Sequence, residues 1–460
     1  MSNSAELSLH RLTKEAFDVK GKKIHFVGAG GVGMCSLVRL SRHLGALVTG
    51  SDRELNENLS ALAVEGVRVF VGHKKEYVKG AELVVRSFAI NDDVPEIVYA
   101  RENRIPCITR AEFLGFLNLI YKDRIAVAGT HGKSTTVAML EHIFSNADIK
   151  PTVLSGAKLG CGTPTLIGDR SLMLYEACEY RDAFLYTHPT VSVITNVEMD
   201  HPDYFKNIDE VKSSFVKFAN SAADITVLNA DDYETDSMRS RISTRTVTFG
   251  CHDTADYRYT VTGFKRGAYH FEMHNRGYNI GEFVLSIPGV FNVSNAACAI
   301  AVACEYGVET EIIRASIASF RGIPRRLEFI GRYKGVPVIY DYAHHPTEIA
   351  KTLTAIRELG FTSVTAVFKP HTYSRTKALW WELVTSLCLA DRIVLTDIYP
   401  AREMPIPEIT SQRLAASIGE GAVYSSDGDV VEHLSNQDGV IVLLGAGDMN
   451  SIIKEMKLDK

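Results

Sequence analysis

The chain has 460 residues, 46% of them hydrophobic and 23% charged, with a formal net charge of -5 and a sequence pI of about 6.3. Such globular composition supplies apolar material for several cores, so roughly three domains of about 150 residues each are expected. The mildly acidic balance argues against a general binder of nucleic acid or membrane surfaces, and no apolar run approaches the ~18 residues of a membrane span.

The N-terminal stretch MSNSAELSLHRLTKEAFDVKGKK has no apolar core of a secretory signal, so a cytoplasmic protein is expected. The 8 cysteines are scattered without a CxxC pair, which reads as free thiols in a reducing compartment. The first regular unit is KKIHFVGAGGVGM, a strand that runs into a glycine-rich turn and then a helix. In such a turn Gly28, Gly30, Gly31 and Gly33 let bare backbone N–H groups approach a diphosphate at the helix start. Asp52 ends the next strand, where an acid can hold ribose hydroxyls. By itself this motif predicts a site for NAD, FAD or another nucleotide diphosphate. Further βα units through IPCITRAEF complete a Rossmann-like domain over 1–115.

A second strand–turn–helix follows in RIAVAGTHGKSTTVAML. Its loop is Gly129-Thr130-His131-Gly132, followed by Lys133, Ser134 and Thr135. It is shorter than the strict GxxxxGK[ST] pattern, because Val127 stands where the first glycine would be. The chemistry is still that of a P-loop: amides cradle phosphate oxygens, Lys133 neutralises charge, and the Ser134 hydroxyl is a Mg²⁺ ligand. A lysine at a helix start opposes the helix dipole unless an anion sits there. Two acidic clusters, Glu176 to Glu179 and Glu198 to His201, follow buried-strand candidates and face the same crevice. Residues 245–285 alternate apolar and polar positions between turns, which predicts a small antiparallel insertion. Asn292 and Asn295 lie three apart before an alanine-rich helix. They are candidates for reading an adenine or ribose edge, with Asn292 as a helix N-cap the alternative. This unit is expected to span 116–325 as a P-loop-type ATP-binding domain.

The last unit, 326–460, again alternates buried strands with polar clusters at their ends. These clusters are Asp341 to Glu348, Lys369 to Thr376 and Asp397 to Glu403, the last containing Arg402. His, Arg and Tyr gathered there suit an amino-acid carboxylate and amine. The fold class expected is therefore α/β, with three consecutive α/β domains. Two phosphate cradles in separate domains suggest an enzyme that brings ATP to a nucleotide-linked substrate. An oxidoreductase needs only the first cradle, and a simple NTPase only the second. A non-catalytic nucleotide-binding regulator has only Cys178 in its favour.

GAGGVGM, GTHGKST, TNVEMDH, FNVSNA, RRLEF, DYAHHPTE and KPHTYSRT together resemble the Mur ligases of peptidoglycan synthesis. The resemblance runs in the family's order from Ile24 to Asp448. It implies a Rossmann-like UDP-binding domain, an ATP-binding domain and a Rossmann-like C-terminal domain, acting through an acyl phosphate with ATP and Mg²⁺. UDP would be held by Gly28, Gly30, Gly31, Gly33, Met34 and Asp52. ATP would be held by Gly129 to Thr135, Asn292, Asn295, Arg326 and Asp341. Ser134 and Glu179 would share one Mg²⁺ and His201 would hold a second, and Tyr342, His344, His371 and Arg375 would surround the amino acid. The catalytic set would be Lys133, Glu179, His201, His344 and Arg375. KPHTYSRT and DIYPAREMP are more similar to the member that adds L-alanine to UDP-N-acetylmuramate than to the one that recycles a tripeptide, which is the alternative. One departure is Cys178, which stands where the family usually has Asp and removes a carboxylate beside the metal. The resemblance implies no nucleic-acid partner, and a monomer or homodimer.

Overall fold

The computed structural model describes residues 18–401, 403–434, 439–447 and 449–459. The N-terminal stretch read for a signal and Arg402 lie outside these residues. Strands β1 (Lys23–Val27), β2 (Leu47–Asp52), β3 (Arg68–Val71), β4 (Leu83–Arg86) and β5 (Cys107–Thr109) form a parallel sheet in the order β3-β2-β1-β4-β5. Helix α1 (Val32–His43) follows the first glycine turn and buries Met34, Leu37, Val38 and Leu40 against the sheet. The β1 run Ile-His-Phe-Val is buried throughout, as expected of a parallel strand covered on both faces. Its histidine, His25, is tied to Thr49 Oγ1 at 2.8 Å, and burial brings its pKa down to about 4.

The second sheet has ten strands. These are β6 (Asp123–Ala128), β7 (Thr152–Leu154), β8 (Thr165–Leu166), β9 (Leu172–Glu176), β10 (Val191–Ile194), β11 (Ile225–Asn229), β12 (Arg245–Gly250), β13 (Tyr257–Lys265), β14 (Ala268–Asn275) and β15 (Tyr278–Leu285). Their order is β15-β14-β13-β12-β11-β10-β6-β9-β7-β8. Helices α2 (Lys133–Asn146) and α3 (Phe291–Glu305) share one core cluster with these strands. Buried Ala296, Ala297, Ala299, Ala301 and Ala303 give α3 a slim face for close packing. The antiparallel insertion expected over 245–285 is smaller than its sequence implied. Only β13, β14 and β15 form an antiparallel meander, while β12 pairs parallel with β11. Val247, Thr248, Phe249 and Gly250 of β12 are all buried, so its apolar–polar alternation does not mark a half-exposed strand.

The third sheet consists of β16 (Glu328–Tyr333), β17 (Val336–Asp341), β18 (Val364–Phe368), β19 (Arg392–Leu395), β20 (Ala422–Tyr424) and β21 (Val440–Leu444), in the order β16-β17-β21-β18-β19-β20. Only the edge strand β16 runs antiparallel. Helix α4 (Pro346–Glu358) follows β17, and the short helix α5 (Tyr373–Ala378) follows β18. The first and second sheets share an apolar cluster that includes Phe26, Phe113, Met173 and Tyr175, whereas the third sheet packs around clusters of its own. A continuous core joins the first two units. Polar contacts at strand ends, described next, join the third to them.

Candidate active site

The first glycine turn is tied to β2 and to itself: the Gly28 and Ala29 amides donate to the Ser51 carbonyl and the Gly31 amide to the Gly28 carbonyl, so the amides a ligand could meet are those of the first turn of α1. Gly31 precedes α1 without a side-chain cap, and no acid lies in the helix's first turn. The Gly30 amide donates to Asp52 Oδ2 at 2.8 Å, so Asp52 braces the turn from the next strand. Asn58 Nδ2 donates to the Gly30 carbonyl at 2.9 Å. A Cβ at Gly30 would stand 2.4 Å from Asn56 Nδ2, and only glycine leaves this turn closed.

The second loop lies between β6 and α2. Gly132 takes φ +83°, and a Cβ there would meet Asn295 Oδ1 at 2.4 Å. At Gly129, φ +135°, a Cβ would meet Thr195 Oγ1 at 2.0 Å. Asn196 fixes the loop by accepting from the His131 amide at 2.8 Å and donating to the His131 carbonyl at 3.0 Å. Lys133 curls back over the loop it opens. Its ammonium donates to the carbonyls of Gly129 and Thr130 and lies 3.2 Å from Glu179 Oε2. Glu179 also faces His201 Nε2 at 3.6 Å. Burial works to raise the Glu179 pKa, but Lys133 and His201 outweigh it and hold the carboxylate ionised.

The third unit closes on this cluster from the other side. Arg375, on α5, grips Asp200: Nε lies 3.1 Å and Nη2 2.9 Å from Oδ1, and Nη2 is 3.2 Å from Oδ2. Its Nη1 faces His371 Nδ1 at 2.9 Å, and the His371 and His344 rings lie 5.6 Å apart. Burial, with neighbouring positive charge, pushes His371 down to about 3; burial pushes His344 down to about 4. Both are neutral near pH 7. His131 is the opposite case. Burial opposes its charge, but Glu348 at 3.1 Å and Glu198 at 3.4 Å raise its pKa to about 9. Thr347 donates to Glu198 Oε2 at 2.6 Å, which adds a third link between the central and C-terminal units.

Beside the loop lies a cavity of about 320 Å³. Its walls include Ser134, Thr135, Asn292, Asn295, Arg326 and Asp341, drawn from both the central and the C-terminal units. Asn295 Nδ2 donates to Asn292 Oδ1 at 3.0 Å, so the pair is pre-set. Asp341 accepts from the amides of Leu327 and Ala343, each at 2.7 Å, and burial raises its pKa to about 6. Two glycine loops, a cluster of Glu179, Lys133 and His201 and a cavity of about 320 Å³ thus line the carboxyl edges of the three sheets.

Comparison with known families resolves what this arrangement is. The model of the Mur ligase family catalytic domain matches residues 23–120, that of the Mur ligase middle domain 127–303, and that of the Mur ligase glutamate ligase domain 325–447. The chain belongs to the Mur ligase family. It is 40% identical over 444 residues to the UDP-N-acetylmuramate–L-alanine ligase of Caldanaerobacter subterraneus subsp. tengcongensis, covering 94% of this chain and 96% of the relative. It is 38% identical over 451 residues to the enzyme of the same name from Aquifex aeolicus, covering 95% and 99%. Among solved structures, the UDP-N-acetylmuramate–alanine ligase of Thermotoga maritima superposes with a TM-score of 0.81 at 28% identity, covering 94% of this chain and 98% of that one.

In this Mur ligase most of the residues singled out from sequence converge, with some shifts of role. Met34 is buried in the core below the turn, so only its backbone can face a ligand. Asp52 accepts from the Gly30 and Arg53 amides, one on each carboxylate oxygen. Asn292 is not an N-cap; Val290 precedes the helix and Asn292 sits in its first turn. Tyr342 packs edge-on to His344 and under the Arg326 guanidinium. Glu176 turns away to Ser155 and Gly156. Sequence reading missed the roles of Asp200 and Glu348. Glu348 was hidden because His345 and Glu348 form a helix capping box, which already accounts for a glutamate at that position.

Proposed function

We propose that this Mur ligase joins L-alanine to the lactyl carboxylate of UDP-N-acetylmuramate at the expense of ATP, through an acyl phosphate. The relatives that carry this activity by name align with nearly the whole chain at 36–40% identity. The observation that carries the reading is the junction itself: the phosphate loop, the Glu179–His201 cluster and Arg375 converge from two units on one cleft.

In this reading, the loop Gly129 to Thr135 holds the phosphates through the amides that Asn196 does not take, those of Thr130 and His131 being donated to Asn196, and Lys133 exchanges its loop carbonyls for phosphate oxygens. Asn292 and Asn295 hold the adenine, while Arg326 and Asp341 border the nucleotide. Gly28, Gly30, Gly31, Gly33 and the Met34 amide hold the UDP diphosphate, with Asp52 bracing the turn. The donors fit Mg²⁺: the Ser134 hydroxyl and the Glu179 carboxylate suit one hard cation, with the His201 imidazole for a second, and Glu179 already attracts the Lys133 ammonium. Bound there, Mg²⁺ would supply positive charge to the phosphate oxygens.

A lactyl carboxylate oxygen attacks the γ-phosphorus, the bond to the bridging oxygen breaks, and ADP leaves. The neutral alanine nitrogen then attacks the acyl carbon, and phosphate departs with the former carboxylate oxygen. Neutral His344 and His371 beside Arg375 form a surface that accepts an amino acid without repelling its ammonium group, and Tyr342 flanks it. Enclosure between the units keeps water from the acyl phosphate. ATP and a nucleotide-linked sugar as substrates argue for a cytoplasmic reaction, and no described helix is long and apolar enough to cross a membrane.

The test is phosphate release with UDP-N-acetylmuramate, ATP and a panel of L-alanine, L-serine, glycine and a tripeptide. L-alanine should give the highest kcat/KM. Equal or faster turnover with the tripeptide would identify the recycling reaction instead.

A further inference from the structure

Arg110 opens the helix Arg110–Asn118 just past β5, on the same edge of the first sheet as the glycine turn. Its guanidinium lies against Gly33, where a Cβ would stand 3.1 Å from Nη1 and 3.5 Å from Cζ. Gly33 has no positive φ, so the turn does not demand glycine at this position. The space a side chain would fill is given to Arg110. The nearby acid Glu112 is committed elsewhere: its Oε2 accepts from the Thr109 amide at 2.6 Å and the Thr109 hydroxyl at 2.8 Å. Among the described residues no carboxylate pairs with Arg110.

A cation at the start of one helix, beside the uncapped and acid-free start of another, is electrostatically unfavourable unless an anion lies between them. We propose that Arg110 binds the diphosphate of the sugar nucleotide, completing the cradle that the α1 amides begin. This assignment rests on the reading of the glycine turn as the UDP site.

The experiment measures binding of UDP and of uridine to the full chain by calorimetry, for the wild type, Arg110→Met and Arg110→Lys. Arg110→Met keeps the aliphatic stem and loses the charge, and melting temperatures confirm that each variant is folded. A lost charge-assisted bond corresponds to roughly ten- to hundredfold in affinity. Arg110→Met should weaken UDP by that factor and leave uridine unchanged, with Arg110→Lys in between. The KM for UDP-N-acetylmuramate should rise while the KM for ATP stays put. Equal UDP affinity in wild type and Arg110→Met overturns the assignment, as does an equal loss for UDP and uridine. A wild type that fails to bind UDP would instead bring down the reading of the glycine turn itself.

Discussion

Nδ1 of His131, in the phosphate loop, lies 3.1 Å from Oε1 of Glu348, in the first turn of α4. The other oxygen, Oε2, accepts from the amides of His344 and His345 at 3.1 and 3.4 Å. One carboxylate therefore caps a helix of the C-terminal unit and grips the loop of the central one. The pair responds to pH with a definite sign. The folded pKa of His131 is raised from 6.5 to about 9, so its stabilisation is complete below pH 6.5 and is lost as pH rises through about 9. Urea unfolding between pH 6 and 9.5 should reveal this decline in the wild type and a flatter profile in His131→Gln. Identical profiles would contradict it.

Arg375 and Asp200 form another clasp between these units, and both are buried. Removing one partner leaves an unpaired buried charge, at a cost of about 3–5 kcal/mol. Asp200→Ala should lower stability by about that amount in denaturant unfolding. The double variant with Arg375→Met should recover part of the loss, because neither charge is then stranded.

Lys133→Ala should abolish alanine-dependent phosphate release while UDP binding persists. Gly132→Ala should have a similar outcome for a different reason. A left-handed backbone costs a non-glycine residue about 1–2 kcal/mol, and the new Cβ would press on Asn295 Oδ1. Calorimetric titration with an ATP analogue should show binding lost in both variants, and UDP titration should be close to wild type.

On the acid side three histidines act together, one buried (His25) and two half-buried (His344 and His371). His25 and His344 have pKa values lowered to about 4, and His371 to about 3. Their lowered values give stability that is present above pH 6.5 and is lost as pH falls toward 4 and then 3. Asp341 acts in the opposite sense. Its pKa is raised from 3.8 to about 6, so its contribution is full below pH 3.8 and is lost as pH rises through 6. The histidines outnumber it, so stability should fall from pH 6.5 to 4. His371→Asn should shallow that fall.

The three α/β units and both glycine loops were legible because their signals are local. A buried apolar strand, a glycine that must avoid a collision and a helix start all lie within a dozen or so residues. Lys133 and Arg375 were legible from motif for the same reason. Relations that depend on docking the C-terminal unit were not. Nothing local distinguishes Glu348 as a helix cap from Glu348 as the partner of His131, since it is both. Asp200 reads as one more acid after β10 until Arg375 arrives from 175 residues away. Strand β12 misled because alternation in TVTFG mimics a half-exposed strand, while the fold covers both of its faces.

The central claim is that carboxylate oxygen, phosphorus and amine meet in one cleft. It is tested most directly with UDP-N-acetylmuramate labelled with ¹⁸O in its lactyl carboxylate, turned over with ATP and L-alanine. Mass spectrometry of the released phosphate should find one ¹⁸O transferred for each amide bond formed. Phosphate free of the label, with the amide still made, would contradict the account.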